Sequence, residues 1–485
     1  MEKNDLPKGK FLLVRPPLSL RVARAFHSFL HLEPLDLELV AGGIGREHET
    51  RILDLTLSRA PDAELRAELR DFRPDVVGFG GYSNQANHVK RLAALAKAEL
   101  PGVITLVGGV HATTMPMDFK LPGVIDIVVR GEGATAMRRL LPHLLAREPL
   151  AAGGGILPTA SPQFAAQAAE APPPLPSYDE VPWPRRDLVR RSDYFCVWSG
   201  APGEAVKTIF PQVATLRTST GCPHRCAFCV VHYLANGKYL QRTPEDVVDE
   251  IAAVPEDHIY FVDDEMFINV ERTTAIARLL LERGIRKHYV SWARSDTICQ
   301  HPGLFRLWRE AGLDSLYVGL ESMESKNLKG YNKGVDPEVN RKAVAVLAEL
   351  GITLHAALMV NPDFLAEDFI AVRRMINDIA PAEVTITVFG PPPGTALWRQ
   401  HEKEFICPDP CAFYDSMHTI LPTRVPLKIF YRYFSLLYLF GFRIHPNRHR
   451  GSRPPLRDLL RTFAGGTKVG YALRTIYKDY DKKLW

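Results

Sequence analysis

Short apolar runs and helical patterns alternate along the first third of the chain. FLLV at 11–14, RILDLT at 51–56, PDVVGFGG at 74–81, ITLVGG at 104–109 and IDIVVRGEG at 125–133 read as strands, and a helical stretch covers 35–43. Strands that alternate with helices predict an α/β fold with a doubly wound parallel sheet over residues 1–150. Ligands of such sheets bind beyond the carboxyl ends of the strands. Those ends carry Arg15 and Pro16, Asp54, the loop 80–84 with Ser83, Gly108 and Gly109 ahead of His111, and Gly131, Glu132 and Gly133. Small residues there let a large, flat or phosphorylated ligand approach the backbone.

Residues 151–205 are rich in Ala, Gly and Pro, with GGG at 153–155 and PPP at 172–174, which predicts a linker. A second alternating region fills 206–400: VATLRTSTGC, HIYFVDDEMF, YVSWARSD, SLYVGLES, ITLHAALMV and EVTITVFGPPPGT. Six strands with intervening helices predict a partial (β/α)6 barrel, whose chemistry sits at the strand C-termini. Every polar motif singled out below falls at such an end. From 401 to 485 the alternation gives way to a helical region with FYRYFSLLYLFGFR at 430–443. That segment is too short to span a bilayer, so the first reading is a helix packed on the barrel. The second is a peripheral membrane contact, since aromatics flanked by Arg and His suit an interface.

Composition narrows the class only slightly. Hydrophobic residues make up 46% and charged residues 24% of 485, the balance of a globular protein of two or three domains. A net charge of +5 supports nucleic acid or an anionic membrane surface only weakly, and nucleic acid is not expected because no compact basic stripe interleaved with aromatics appears outside the C-terminal segment. The polar start lacks a secretory signal, and seven cysteines, three packed together and the rest scattered, do not form a disulfide framework, so the expected compartment is the cytoplasm, with the inner membrane face as the site of any peripheral contact.

Three of those cysteines lie within eight residues, in TGCPHRCAFC, as Cys222, Cys226 and Cys229. Zinc is one reading, with His224 or His232 as a fourth ligand. A cubane cluster is the other, because three thiolates bind three irons and leave the fourth open. The spacing and its place after the first barrel strand resemble the radical S-adenosylmethionine superfamily. The resemblance implies a [4Fe–4S] cluster on Cys222, Cys226 and Cys229, with S-adenosylmethionine on the open iron, cleaved to a hydrogen-abstracting 5′-deoxyadenosyl radical. It also implies that Asp263, Asp264 and Glu265 of FVDDEMF accept hydrogen bonds from the ammonium group. Arg294 of WARSD would contact carboxylate or ribose, Glu321 of YVGLES the ribose, and Phe228 the adenine. An external electron donor such as flavodoxin or ferredoxin follows. Read without the resemblance, these residues are an acidic turn, a surface arginine and ordinary packing. Cys196, Cys299, Cys407 and Cys411 read as buried and inert.

The first region resembles the cobalamin-binding domain found ahead of the barrel in a large subgroup of the superfamily. It implies that cobalamin lies against Asp54, Ser83, Gly108, Gly109, Gly131, Glu132 and Gly133. The DxHxxG motif of mutases and methionine synthases is missing and His111 stands in another context, so no histidine is expected beneath the cobalt. Three functions then compete: methylation of an unactivated carbon, oxidative cyclisation of the tetrapyrrole type without methyl transfer, and a non-catalytic iron–sulfur and cobalamin binding module. Methylthiolation does not fit, because residues 1–195 contain no cysteine. FLHLEPLDLELVA at 29–41 and LPTRVPLKIFYRYFSLLY near the C-terminus look like the hopanoid 3-methylases, which implies an apolar lipid substrate.

Overall fold

The structure is a computed structural model that describes residues 7–202, 207–441 and 455–481. Its first sheet contains β1 (Lys10–Arg15), β2 (Glu49–Asp54), β3 (Val76–Gly80), β4 (Ile104–Gly108), β5 (Ile127–Val129) and β6 (Ile156–Pro158), in the order β2-β1-β3-β4-β5-β6. All neighbours are parallel except β6, which runs against β5. The four central residues of β1 are buried in succession, as a strand covered by helices on both faces requires. The order reverses between β1 and β3, and a doubly wound sheet opens its ligand crevice at that point.

β6 and the helix Phe164–Ala169 arise from the segment read as a linker. Ile156, Leu157 and Phe164 are buried, so this stretch closes the edge of β5 instead of merely connecting. Further on, the segment is pinned by ion pairs. Arg186 and Arg191 reach Glu33, and Arg186 also reaches Glu250 at 2.6 Å.

The second sheet contains β7 (Val213–Leu216), β8 (His258–Phe261), β9 (His288–Ala293), β10 (Leu313–Glu321), β11 (Thr353–Val360) and β12 (Glu383–Val388). It is fully parallel, in the order β12-β11-β10-β9-β8-β7, so six strands form the half-barrel that the alternation predicts. The covering helices have local starts and stops. Thr243 and Asn269 cap the helices Pro244–Ala253 and Val270–Glu282. Pro302–Ala311 buries Phe305 and Trp308 and stops at Gly312 (φ 117°), where a Cβ would lie 2.1 Å from the Lys287 carbonyl oxygen.

A half-barrel leaves open edges at β7 and β12: Glu33 and the connector bond the first, through Thr215 and Val213, and the helix Leu427–Gly441 covers the second. In Leu427–Gly441, Phe430, Phe434 and Leu437 are buried in the barrel's hydrophobic cluster, and the Tyr438 hydroxyl donates to the Ile386 carbonyl at 2.6 Å and accepts from its N–H at 3.0 Å. This is the packing reading of 430–443; the basic stretch 442–454 lies outside the described residues. Leu456–Thr475 packs on the helix Arg21–Phe26, and Arg461 stacks over Phe195 and Phe210 at 3.8 and 4.2 Å. Among the described residues no helix is long and apolar enough to cross a membrane.

His418 ties this closure together, with Asp415 3.0 Å from Nδ1 and Asp479 3.5 Å from Nε2. Burial pushes its pKa down, but the two carboxylates outweigh burial and raise it from 6.5 to about 9. The folded value exceeds the unfolded one, so the contribution is complete below pH 6.5 and is lost as pH rises through about 9. In His418→Gln, urea unfolding should lose this part of the alkaline decline in stability, on the order of 2 kcal/mol between neutral pH and the upper end of that window.

Candidate active site

The cysteine loop leaves β7 and is held from two sides. Asp263, at the end of β8, accepts from the Thr218 N–H and hydroxyl, at 3.0 and 2.7 Å, and from the Ser219 hydroxyl. Asp264 accepts from the Gly221 N–H at 2.8 Å, and Gly221 (φ 91°) leaves no room for a Cβ beside the Lys238 carbonyl. From the other side comes the segment 331–333. The Ala227 N–H donates to the Tyr331 carbonyl at 2.9 Å, and the Asn332 amide donates to the Arg225 carbonyl at 2.8 Å. Cys222, Cys226 and Cys229, all half-buried and unpaired as disulfides, sit on the loop so clamped.

The groups around them are charged and ordered. Arg294 forms a fork with Asp296 at 2.9–3.0 Å, donates to the Lys333 carbonyl at 2.9 Å, and places Nη1 3.9 Å from Cys226 Sγ. Lys333 Nζ donates to Glu321 at 3.0 Å and lies 5.8 Å from the centre of the Phe228 ring. Glu321 ends β10 at a bulge with φ 58°, a strained geometry for a non-glycine residue. Phe228 meets Tyr331 edge-on at 5.9 Å, and Tyr331 stacks on Phe389 of the Pro-rich loop at 5.7 Å. Glu265 is buried, and burial, against the Phe267 N–H, Arg294 and Lys333, lifts its pKa to about 8.

The structure thus separates the acidic motif into three roles. Both oxygens of Asp263 are spent on the loop itself, Glu265 sits beneath the mouth, and Asp264 alone is exposed. Asp264 faces the first sheet. It interacts electrostatically with Tyr82, from the loop after β3, and with Arg217, which follows β7 and also feels Glu132 from the end of β5. Tyr82 is 63% exposed although charged groups of both halves surround it, so it projects into open space between them. The helix Val110–Thr114 touches Val231–Leu234 just past the cysteines, and Arg130 interacts electrostatically with Tyr233. The carboxyl edges of the two sheets therefore face one cleft.

Along the first edge, Gly109 (φ 95°) lies so close to Gly81 that a Cβ would stand 3.0 Å from its N and O atoms. Gly131 donates to Thr113 at 3.0 Å, Glu132 caps the helix Gly133–Ala146, and Ser83 meets His111 Nδ1 at 3.1 Å. His111 is 1% exposed and its other nitrogen bonds Asp118 at 3.0 Å. Asp54 is placed elsewhere. Burial opposes its ionisation, but His31, Arg15 and Thr56 hold it below the usual carboxylate range, and Tyr194 approaches at 3.4 Å, so it belongs to the seam with the connector.

Residues 25–141 match the B12 binding domain family and residues 216–376 the radical SAM superfamily. The hopanoid C-3 methylase of Methylococcus capsulatus is 33% identical over 410 residues, covering 83% of this chain and 75% of that one. The chain belongs to the cobalamin-binding radical S-adenosylmethionine enzymes. An anaerobic magnesium-protoporphyrin IX monomethyl ester cyclase of Rubrivivax gelatinosus is 25% identical over 72% of this chain, which spans 62% of the cyclase. In fold, the radical S-adenosylmethionine methyltransferase TsrM of Kitasatospora setae, with tryptophan and a SAM analog bound, matches 98% of this chain and 99% of its own at TM-score 0.63 and 16% identity. This member of the family is an enzyme, a cobalamin-dependent radical S-adenosylmethionine methyltransferase. Its cofactors are cobalamin, S-adenosylmethionine and a [4Fe–4S] cluster.

The residues present fit those groups. A tetrahedral zinc would draw thiolates to about 3.8 Å from one another. Among the described residues, the one His/Cys/Asp/Glu group with all ligand atoms within 4.8 Å is His111, Asp118 and Cys411, not the three cysteines. His232 is turned against Gly237, its Nδ1 buried without a partner. The wider thiol set suits a cluster of several irons. Gly109 is exposed, Gly81 and Gly108 are half-buried, and Gly109 packs on the Gly81 backbone, so bare backbone lines this edge, as a flat macrocycle against it requires. His111 is hydrogen-bonded through both nitrogens, to Ser83 and to Asp118.

Lys333, Tyr331, Asn332, Tyr82 and Arg217 escape sequence reasoning, because each acts through a loop contact to a residue distant in the chain. Lys333→Met leaves the Glu321 carboxylate buried and unpaired. The expected cost is about 3–5 kcal/mol in chemical unfolding, together with fewer irons per chain after anaerobic reconstitution and gel filtration.

Proposed function

We propose that the enzyme methylates an unactivated carbon of an apolar lipid, a hopanoid, in the cleft between the two sheets. The observation that carries this reading is the 33% identity to a hopanoid C-3 methylase across most of both chains. When bound, the cofactors supply a hydrogen-abstracting carbon radical on the barrel side and a transferable methyl group on the other. Cys222, Cys226 and Cys229 would hold the cluster, and Arg294 would offset the negative charge of the Cys226 thiolate. The Lys333–Glu321 pair and the Phe228 ring would order the nucleoside part of S-adenosylmethionine, with Glu265 and Asp264 as acceptors for its ammonium. Gly108, Gly109, Gly131 and Gly133, with Ser83 and Glu132, would line the cobalamin side, while Asp54 would act through the seam.

The protein's own work is positioning and exclusion of water. The loop containing Gly394 closes on the carbonyl of Thr114 with no room for a Cβ, and Tyr331 and Phe389 stack behind Phe228, so the cleft is walled by packed groups. An external one-electron donor, a flavodoxin or ferredoxin, would deliver reducing equivalents.

Incubation of the reconstituted enzyme without oxygen, with S-adenosylmethionine, hydroxocobalamin, reduced flavodoxin and a hopanoid, should yield a product heavier by one methyl group, with 5′-deoxyadenosine and S-adenosylhomocysteine. Cys226→Ala should abolish all three. Turnover of magnesium-protoporphyrin ester, with the hopanoid untouched, would assign the cyclase chemistry instead.

A further inference from the structure

The helix Leu456–Thr475 is apolar on two sides. Its inner face buries Val469, Ala472 and Leu473 in the barrel cluster, and Gly465 abuts Phe29. Its outer face carries Leu456, Leu460, Phe463 and Tyr471, which are 71%, 60%, 74% and 64% exposed. The spacing 456, 460, 463 and 471 places them on one stripe. The neighbouring helix Leu427–Gly441 extends it with exposed Leu436 and Leu439, the latter lying beside Gly470. An exposed apolar patch of this extent on a folded chain marks an interaction surface.

The charges on the same two helices indicate its partner. Every exposed charged side chain there is a cation: Lys428, Arg432, Arg457, Lys468 and Arg474. The single carboxylate, Asp458, is buried and accepts from the Thr208 hydroxyl and the Ile209 N–H at 2.6 and 2.9 Å. A two-fold contact between two copies would set these cations against one another. An apolar stripe bordered only by cations is complementary to anionic headgroups above an acyl layer.

We infer that the outer face of these two helices docks the enzyme onto an anionic phospholipid surface, with Leu456, Leu460 and Phe463 entering the headgroup–acyl boundary. The inference stands on the helices alone and does not depend on the substrate. It shares the helix Leu427–Gly441 with the contact expected at 430–443 but rests there on Arg432, Leu436 and Leu439, because the aromatic residues Phe430, Tyr431, Phe434 and Tyr438 are buried.

The test is co-sedimentation of the full chain with vesicles of phosphatidylglycerol and phosphatidylcholine, against phosphatidylcholine alone. The wild type should bind the anionic vesicles, more weakly at high salt. Leu460→Asp/Phe463→Asp should lower partitioning by about tenfold or more, and Arg457→Glu/Lys468→Glu should lower it while leaving the apolar stripe intact. Both variants should retain the wild-type iron content and circular dichroism, which separates lost docking from lost fold. Failure of the wild type to sediment, or equal binding by the wild type and the Leu460→Asp/Phe463→Asp variant, would overturn the inference. So would a wild-type dimer in light scattering that this variant abolishes, since the face would then belong to a second copy.

Discussion

Glu33 sits where the segment leading out of the first sheet meets the first strand of the second, and its carboxylate is almost wholly buried there. One oxygen accepts from the N–H and hydroxyl of Thr215 in β7, at 2.6 and 2.9 Å, and from Arg186; the other accepts from Arg191 at 2.9 Å. Arg186 continues to Glu250 and to the Thr215 carbonyl, and Arg191 to Glu256. A buried charge is tolerable only when it is fully paired, so these partners cannot separate without leaving ions in a low-dielectric seam. The connector, the first sheet and the edge of the barrel are thereby locked in one relative orientation. That orientation turns both carboxyl edges toward one cleft.

Within the cleft, the two sides are built differently for a physical reason. The barrel side must hold soft metal ligands on a loop, so it spends carboxylates and amides on the loop backbone: Asp263 on Thr218 and Ser219, Asp264 on Gly221, Asn332 on Arg225. Burial raises the pKa of the Cys222 and Cys229 thiols, Cys229 to about 11. Thiolates there require a compensating cation, which coordinated iron supplies and Arg294 assists. The first sheet instead presents backbone at its edge: Gly109 packs on the Gly81 backbone and Gly131 on Pro173, and the loops are secured from behind through Ser83, His111 and Thr113.

Much of this was legible in the sequence where the signal is periodic or local. Buried parallel strands announce themselves as continuous apolar runs, and the glycines and cysteines mark strand ends by type and spacing. β6 was not legible, because Ile156–Pro158 is three residues inside an Ala/Gly/Pro-rich stretch and becomes a strand only by pairing with β5. At Asp263 and Asp54 the position at a strand end is visible in the sequence, but the partners of their oxygens are not, since they come from Thr218 and Ser219 in one case and from His31 and Tyr194 in the other. Lys333 gives no pattern at all, since a lysine in a loop becomes structural only through Glu321 at a bulge. The outward stripe of 456–475 is masked by Gly465, Gly466 and Thr467, which break the apolar period.

That the two cofactor-binding edges share one cleft is tested most directly by electron paramagnetic resonance of the enzyme carrying both the reduced cluster and cob(II)alamin. The facing edges predict a cob(II)alamin signal broadened by the nearby paramagnetic cluster and sharpened when Cys226→Ala removes it. A signal equally sharp with and without the cluster would place the two groups in separate sites and contradict the shared cleft.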